Sequence, residues 1–145
     1  MADRTGDIDS RLAGDLLSDG MKRVAFAGQR LFMKFAGLDY FRSRADAAGL
    51  EVVEAHAEEE DDFIAEVRNS HAIAVIARSI SDRTIRELRS CELIQTLSVG
   101  YDCVDVGAAT IAGIPVCNTP AYCTDEVAGH AMTLLVSLAR KIHLI

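Results

Sequence analysis

A parallel α/β sheet is the fold class this sequence predicts, and three observations predict it. Short apolar runs recur five times between residues 23 and 118. The stretches between them carry helix-starting and helix-stopping residues. The third run, residues 72–77 (AIAVIA), is apolar without interruption, as expected of a strand covered on both faces. Strands alternating with helices imply βαβ units with right-handed crossovers. The economical strand order is 2-1-3-4-5, a flavodoxin-like sheet with helices on both faces.

Each element has a local reason. Residues 23–27 (RVAFA) form a strand ended by Gly28. Asp39 is expected to cap a helix running to Ala48, with Gly49 as its left-handed stop. Residues 50–55 (LEVVEA) are the second strand. The five acids of residues 58–62 read as a solvated first helical turn, favoured by the helix dipole, of a helix ending near Arg68. After the third strand, Ser81 caps a helix over residues 82–90, in which Ile85 and Leu88 share one face. Residues 93–98 (LIQTLS) are the fourth strand. Asp105 starts a short helix that stops at Gly113. Residues 114–118 (IPVCN) are the fifth strand, with Pro115 suited to an edge or a strand start because it lacks a donor. The last helix starts at Thr124, which is expected to cap it, followed by Asp125 and Glu126 in the first turn. Residues 127–139 are almost wholly apolar, broken by His130, Thr133 and Ser137. Such a helix is expected to be buried on most sides.

Three segments follow from this reading. Residues 1–20 carry five aspartates and two arginines and read as an acidic, flexible lead-in. Residues 21–123 form the sheet domain, and residues 124–145 a long C-terminal helix that links onward. The chain has 145 residues, which fits one domain. Half its residues are hydrophobic and 26% are charged, a globular composition that excludes wholesale disorder.

Charge and composition exclude several function classes. The net charge of −7 argues against a nucleic-acid partner, which needs a basic face. No run approaches the ~20 apolar residues of a membrane helix. The first twenty residues lack an apolar signal core, so a reducing, cytoplasmic setting is expected. Cys91, Cys103, Cys117 and Cys123 show no C-x-x-C spacing, so no zinc site is expected. The first three read as small apolar fillers. His130 reads as a satisfied core or interface residue, and His143 as a cation near a helix end.

The informative stretches leave strands four and five on the same edge. Residues 98–105 (SVGYDCVD) place Gly100 at a strand exit, where backbone approaches a ligand closely and free amides hold a carboxylate. Asp102 braces the turn. Residues 118–124 (NTPAYCT) bring Tyr122 and Cys123 to the same side, with Pro120 stiffening the exit. Tyr122 also fits a packed aromatic with a solvated tip. Gly100, Gly107 and Gly113 lack G-x-G-x-x-G spacing, and no P-loop is present.

At these residues the sequence resembles a known family. The G-x-D-x-x-D turn (Gly100, Asp102, Asp105), the A-A-x-x-x-G-I-P-V stretch (Ala108 to Val116), N-T-P (Asn118 to Pro120) and the following helix start (Val127-Ala128-Gly129-His130-Ala131) resemble the D-isomer-specific 2-hydroxyacid dehydrogenases. Upstream, Ala77-Arg78-Ser79 resembles the family's strand-three exit. The resemblance implies the N-terminal, substrate-binding domain of an enzyme whose second domain binds NAD or NADP. It implies oxidoreductase chemistry: hydride transfer between nicotinamide and the carbon of a 2-hydroxy or 2-keto acid. It implies that the amides of Val99 and Gly100 hold the substrate carboxylate, and that Tyr122 lies near the substrate. Cys123 stands where other members have asparagine, which removes a side-chain amide contact and leaves a crevice-lining thiol as one reading of the position. Gly129 replaces the usual glutamate, and glycine there costs the helix about 1 kcal/mol relative to alanine. The family's catalytic arginine, glutamate and histidine, and its dinucleotide turn, match no residue of this chain. The chain is therefore expected to stop short of the nucleotide domain, to bind no cofactor alone, and to be inactive alone.

Two other readings stand beside this one. One is a non-catalytic small-carboxylate binder or heteromerising module, self-associating or pairing through residues 127–145 because a large apolar face seeks a partner. The other is a receiver domain, which needs paired acids after strand one and an aspartate after strand three. Gly28-Gln29-Arg30 and Arg78-Ser79 stand there instead.

Overall fold

A computed structural model gives the fold and describes residues 21–29 and 37–142. The acidic lead-in, residues 30–36 and His143 lie outside the described residues. The strands are β1 (Arg23–Gly28), β2 (Glu51–Ala55), β3 (Ala72–Ile76), β4 (Leu93–Thr96) and β5 (Val116–Cys117). The helices are α1 (Leu38–Ala47), α2 (Glu60–Val67), α3 (Asp82–Glu87), α4 (Val106–Ala112) and α5 (Thr124–Ala139). All strands pair in parallel, in the order β2-β1-β3-β4-β5.

The period-2 alternation of each strand divides the core. Ala25, Ala27, Ile73, Val75 and Ile94 face Phe63 and Val67 of α2, Ile85 of α3 and Ala109 of α4. On the other face Phe26 and Ala74 pack with Leu38 and Phe41 of α1, and with Ile76 and Leu97. Phe26 and Phe41 meet edge to face, with ring centroids 4.8 Å apart. The central strands need apolar residues on both sides because helices cover both faces.

Two caps are formed as the sequence implies. The Ser81 side chain accepts from the Thr84 amide, and Asp105 accepts from the Ala108 amide at 2.9 Å. Gly113 stops α4 in the left-handed conformation, at φ 72°.

Other details differ from expectation. Gly37 rather than Asp39 caps α1; its left-handed backbone brings its carbonyl to the Phe41 amide at 2.9 Å, leaving Asp39 in the first turn. Cys123 rather than Thr124 occupies the cap position of α5, and its side chain makes no capping bond. Helix α3 ends at Glu87 rather than Ser90, because Leu88 turns extended to pack on the core and the Arg89 amide bonds the Arg68 carbonyl. Strand β5 is only two residues long. Ile114 turns into the core instead of the ladder, and Pro115 contributes only its carbonyl, to the Ile94 amide. Cys91 and Cys103 pack against the core as fillers, but Cys117 is exposed, since β5 is an edge strand. Helix α5 contains no buried residue, so His130 is a solvent-facing side chain rather than a core one.

The acidic start of α2 is tied to α3. The Ser81 hydroxyl donates to Glu60, Thr84 donates to the same oxygen at 3.3 Å, and Arg83 pairs with Asp61. The bond from Ser81, helped by Thr84 and Arg83, holds the Glu60 carboxyl below its ordinary value.

Two outcomes follow. Asp105→Ala is expected to cost about 1 kcal/mol in urea unfolding, the usual worth of an N-cap. Because Glu60 is depressed in the folded state, its contribution is present above the ordinary carboxylate pKa and is lost as pH falls through the lower folded value. Unfolding of Glu60→Gln, measured from pH 6 to pH 3, should show a shallower acid decline than the parent; an unchanged slope would contradict the assignment.

Candidate functional site

Parallel strands deliver all their carboxyl ends to one edge of the sheet, and ligands of open α/β sheets bind there. The exits of β4 and β5 are neighbours on that edge. Three hydrogen bonds join them. The Thr119 amide donates to the Ser98 carbonyl at 3.0 Å, the Thr119 hydroxyl to the Thr96 carbonyl at 3.1 Å, and the Asn118 side-chain amide to the Val99 carbonyl at 2.8 Å. Thr119 also receives a weak bond from Gln95 at 3.4 Å.

The turn after β4 runs open to solvent. Leu97 makes the last ladder bond, to the Val75 carbonyl at 2.8 Å. From residue 98 to residue 103 no backbone amide has a protein acceptor among the described residues. Val99 and Gly100, both exposed, lie within this stretch. The turn closes with the Val104 amide on the Tyr101 carbonyl, and Asp105 bonds across to Ile80. A Cβ on Gly100 would sit in ordinary contact, 3.4 Å from the Asp102 carboxylate, so a small side chain fits without a clash.

Two non-glycine residues on this edge adopt the left-handed region. Ala77 (φ 50°) follows β3, and Ala121 (φ 59°) lies between Pro120 and Tyr122. Such conformations cost roughly 1–2 kcal/mol each and concentrate at functional turns. Beside Ala77, Arg78 turns back over the Phe63 ring at 4.0 Å and donates to the Ala57 carbonyl. That contact removes it from the β4–β5 edge.

The expected site residues therefore divide. Val99 and Gly100 form the open turn. Tyr122 lies one strand away, lining a cleft of about 560 Å³ on the α1 face with Phe26, Phe41, Ile76, Leu97 and Thr119. A second apolar groove of about 400 Å³ continues it along the same face through Phe41, Arg44 and Leu97. Cys123 caps α5 and lines neither space. Its interaction with the Tyr122 hydroxyl raises the Tyr122 pKa above the ordinary value. The histidines stand apart: His71 accepts from the Arg23 amide at 3.1 Å on the opposite edge, His56 follows β2, and His130 is on α5. Asn118 and Ser98 also belong to this edge, through bonds that no local sequence rule gives. Their polarity at a strand exit was visible, but the carbonyls they bond come into reach only once β4 and β5 pair.

Comparison with known proteins decides the lineage. The pattern described as "D-isomer specific 2-hydroxyacid dehydrogenase, catalytic domain" matches residues 32–137. The chain belongs to this dehydrogenase family. It is 35% identical over 106 residues to a D-3-phosphoglycerate dehydrogenase of Archaeoglobus fulgidus, covering 72% of this chain and 19% of that protein. It is 35% identical over 81 residues to a glyoxylate reductase of Thermococcus litoralis, covering 55% and 24% respectively. The chain thus spans about a fifth to a quarter of these relatives. The fold matches a 2-hydroxyacid dehydrogenase of Ketogulonicigenium vulgare at a TM-score of 0.65, with 28% identity over 85% of this chain and 37% of that one. It also matches an NAD⁺-bound 3-phosphoglycerate dehydrogenase of Entamoeba histolytica at 0.67, with 23% identity over 81% and 39%.

The described residues do not fit the dinucleotide that the family uses. A pyrophosphate needs a glycine-rich turn and an uncluttered helix N-terminus. Here acids occupy every described helix start: Asp39 in α1, Glu60 to Asp62 in α2, Asp82 in α3, Asp105 at the cap of α4, and Asp125 and Glu126 in α5. Among the described residues no group of three His, Cys, Asp or Glu is placed to hold a metal, and no helix is long and apolar enough to cross a membrane.

Proposed function

We propose that this domain is the carboxylate-holding part of a 2-hydroxyacid dehydrogenase, binding a small 2-hydroxy or 2-keto acid. The observation that carries the proposal is the open turn after β4, where Val99 and Gly100 are exposed residues whose amides have no protein acceptor among the described residues. Two neighbouring N–H donors suit a carboxylate, and a bond to a charged acceptor is stronger than a neutral one. Tyr122 stands on the adjoining exit, in the α1-face cleft rather than against the turn, so the two amides carry the recognition.

Hydride transfer is not a property of these residues alone. The reaction needs donor, acceptor and a proton source held together. Beside the turn stand the hydroxyl and amide groups of Ser98, Asn118 and Tyr101, and the Asp102 carboxylate next to Gly100. On this reading the domain supplies substrate binding, and the family's NAD or NADP is held by residues other than these.

Titration of the ¹⁵N-labelled chain with oxamate should shift the Val99 and Gly100 amides, with a dissociation constant on the order of millimolar. Lactamide, which lacks the carboxylate, should leave them unmoved. The same preparation should not oxidise NADH with glyoxylate, pyruvate or hydroxypyruvate. Equal response to lactamide, or measurable turnover, would contradict the proposal.

A second reading, a self-associating or heteromerising module, is favoured by α5. Leu134, Leu135 and Leu138 are 51%, 60% and 63% exposed, beside Val127 and Met132. An apolar surface of this extent draws a partner. Light scattering behind a sizing column should then show a species larger than 15.7 kDa that Leu135→Asp/Leu138→Asp returns to the monomer. A clean monomer at high concentration would reject this reading.

A further inference from the structure

We infer that Asn118 is a positioning residue for the carboxylate site: it aims the Gly100 N–H from the far side of the same peptide plane. The inference rests on the reading of the β4 turn as a carboxylate site and extends it to a residue that touches no substrate.

The peptide unit couples the two groups. The carbonyl of one residue and the N–H of the next lie in one rigid plane and, in the trans form, point in opposite directions. Fixing the carbonyl therefore fixes the N–H. Asn118 donates from Nδ2 to the Val99 carbonyl at 2.8 Å, so it sets the plane that carries the Gly100 N–H. The acceptor settles which end of the Asn118 amide is used, since only its nitrogen can donate to a carbonyl.

The adjacent planes are held by other residues. The Ser98 carbonyl accepts from the Thr119 amide at 3.0 Å and from the Thr96 hydroxyl at 3.2 Å, which sets the Val99 N–H. The Ser98 hydroxyl donates to the Gly100 carbonyl at 2.7 Å, which sets the plane beyond. Successive carbonyls are thus tied down by protein donors, while the N–H groups of the same peptides have no protein acceptor among the described residues. A hydrogen bond to a carbonyl also polarises the N–H of the same peptide, which strengthens that donor toward an anion. Among these ties Asn118 is the one that governs Gly100 alone, and it reaches across from β5. The Val99 N–H is held independently of it.

This independence supplies the test. The labelled full chain is titrated with oxamate as the parent, as Asn118→Ala and as Asn118→Asp. The aspartate is nearly isosteric but ionised, so it neither donates to the Val99 carbonyl nor welcomes a second anion. The expected result is binding about tenfold weaker in Asn118→Ala, the loss a single hydrogen bond of ordinary strength explains. Asn118→Asp should bind weaker still. In both, the oxamate-induced shift of Gly100 should shrink while that of Val99 persists, a split that general loosening of the fold does not produce. Retained spectral dispersion in Asn118→Asp guards against an unfolded variant. If the parent shows no shift at either amide, the carboxylate reading itself fails. If the parent shows both shifts and they survive unchanged in both variants, the carboxylate reading stands and the role of Asn118 is overturned.

Discussion

Parallel pairing of β3 with β4 is the constraint on which the rest of this structure depends. A parallel ladder needs a crossover between its strands, and the crossover needs a helix on a face of the sheet. That requirement makes residues 72–76 apolar on both sides and places Phe63, Ile85 and Ala109 against one face. It also sends every strand exit to the same edge. The open turn at Val99 and Gly100 lies beside Asn118 and Thr119 because β4 and β5 run the same way, in register from Ile94 opposite Val116. The site is a consequence of strand direction before it is a consequence of side chains.

The edge strand shows how little pairing such a site needs. Strand β5 has two residues, yet its exit is tied to β4 by Thr119 and Asn118 through three bonds to main-chain carbonyls. Side chains here complete a ladder that Pro115 cannot extend. The same side chains hold the carbonyls of the β4 exit, so edge pairing and the geometry of the open turn share their residues. Rigid elements and hydrogen-bonded support, rather than the turn itself, give a binding site its precision.

Much of this was legible in the sequence. The unbroken apolar run of β3, the Ser81 and Asp105 caps and the Gly113 stop each follow from a local rule, and each is found. The open turn was legible as a glycine at a strand exit. What was not legible depends on contacts between distant residues. The cap of α1 fell to Gly37, and that of α5 to Cys123, because the chain's approach angle selects which residue stands outside the helix. The long apolar pattern of α5 predicts burial, but a pattern does not supply the wall that buries it. Asn118 belongs to the N-T-P motif, but its bond to Val99 spans 19 residues and exists only across the paired strands.

On the proposed reading the β4 turn offers carboxylate donors aimed in advance by bonds on its protein side. A crystal structure of the 145-residue chain grown with oxamate tests it most directly. The carboxylate is expected within about 2.7–3.1 Å of the Val99 and Gly100 nitrogens, with the Asn118 to Val99 bond unchanged. A carboxylate seated instead in the α1-face cleft beside Arg44 and Tyr122, with the turn amides left to solvent, would contradict it.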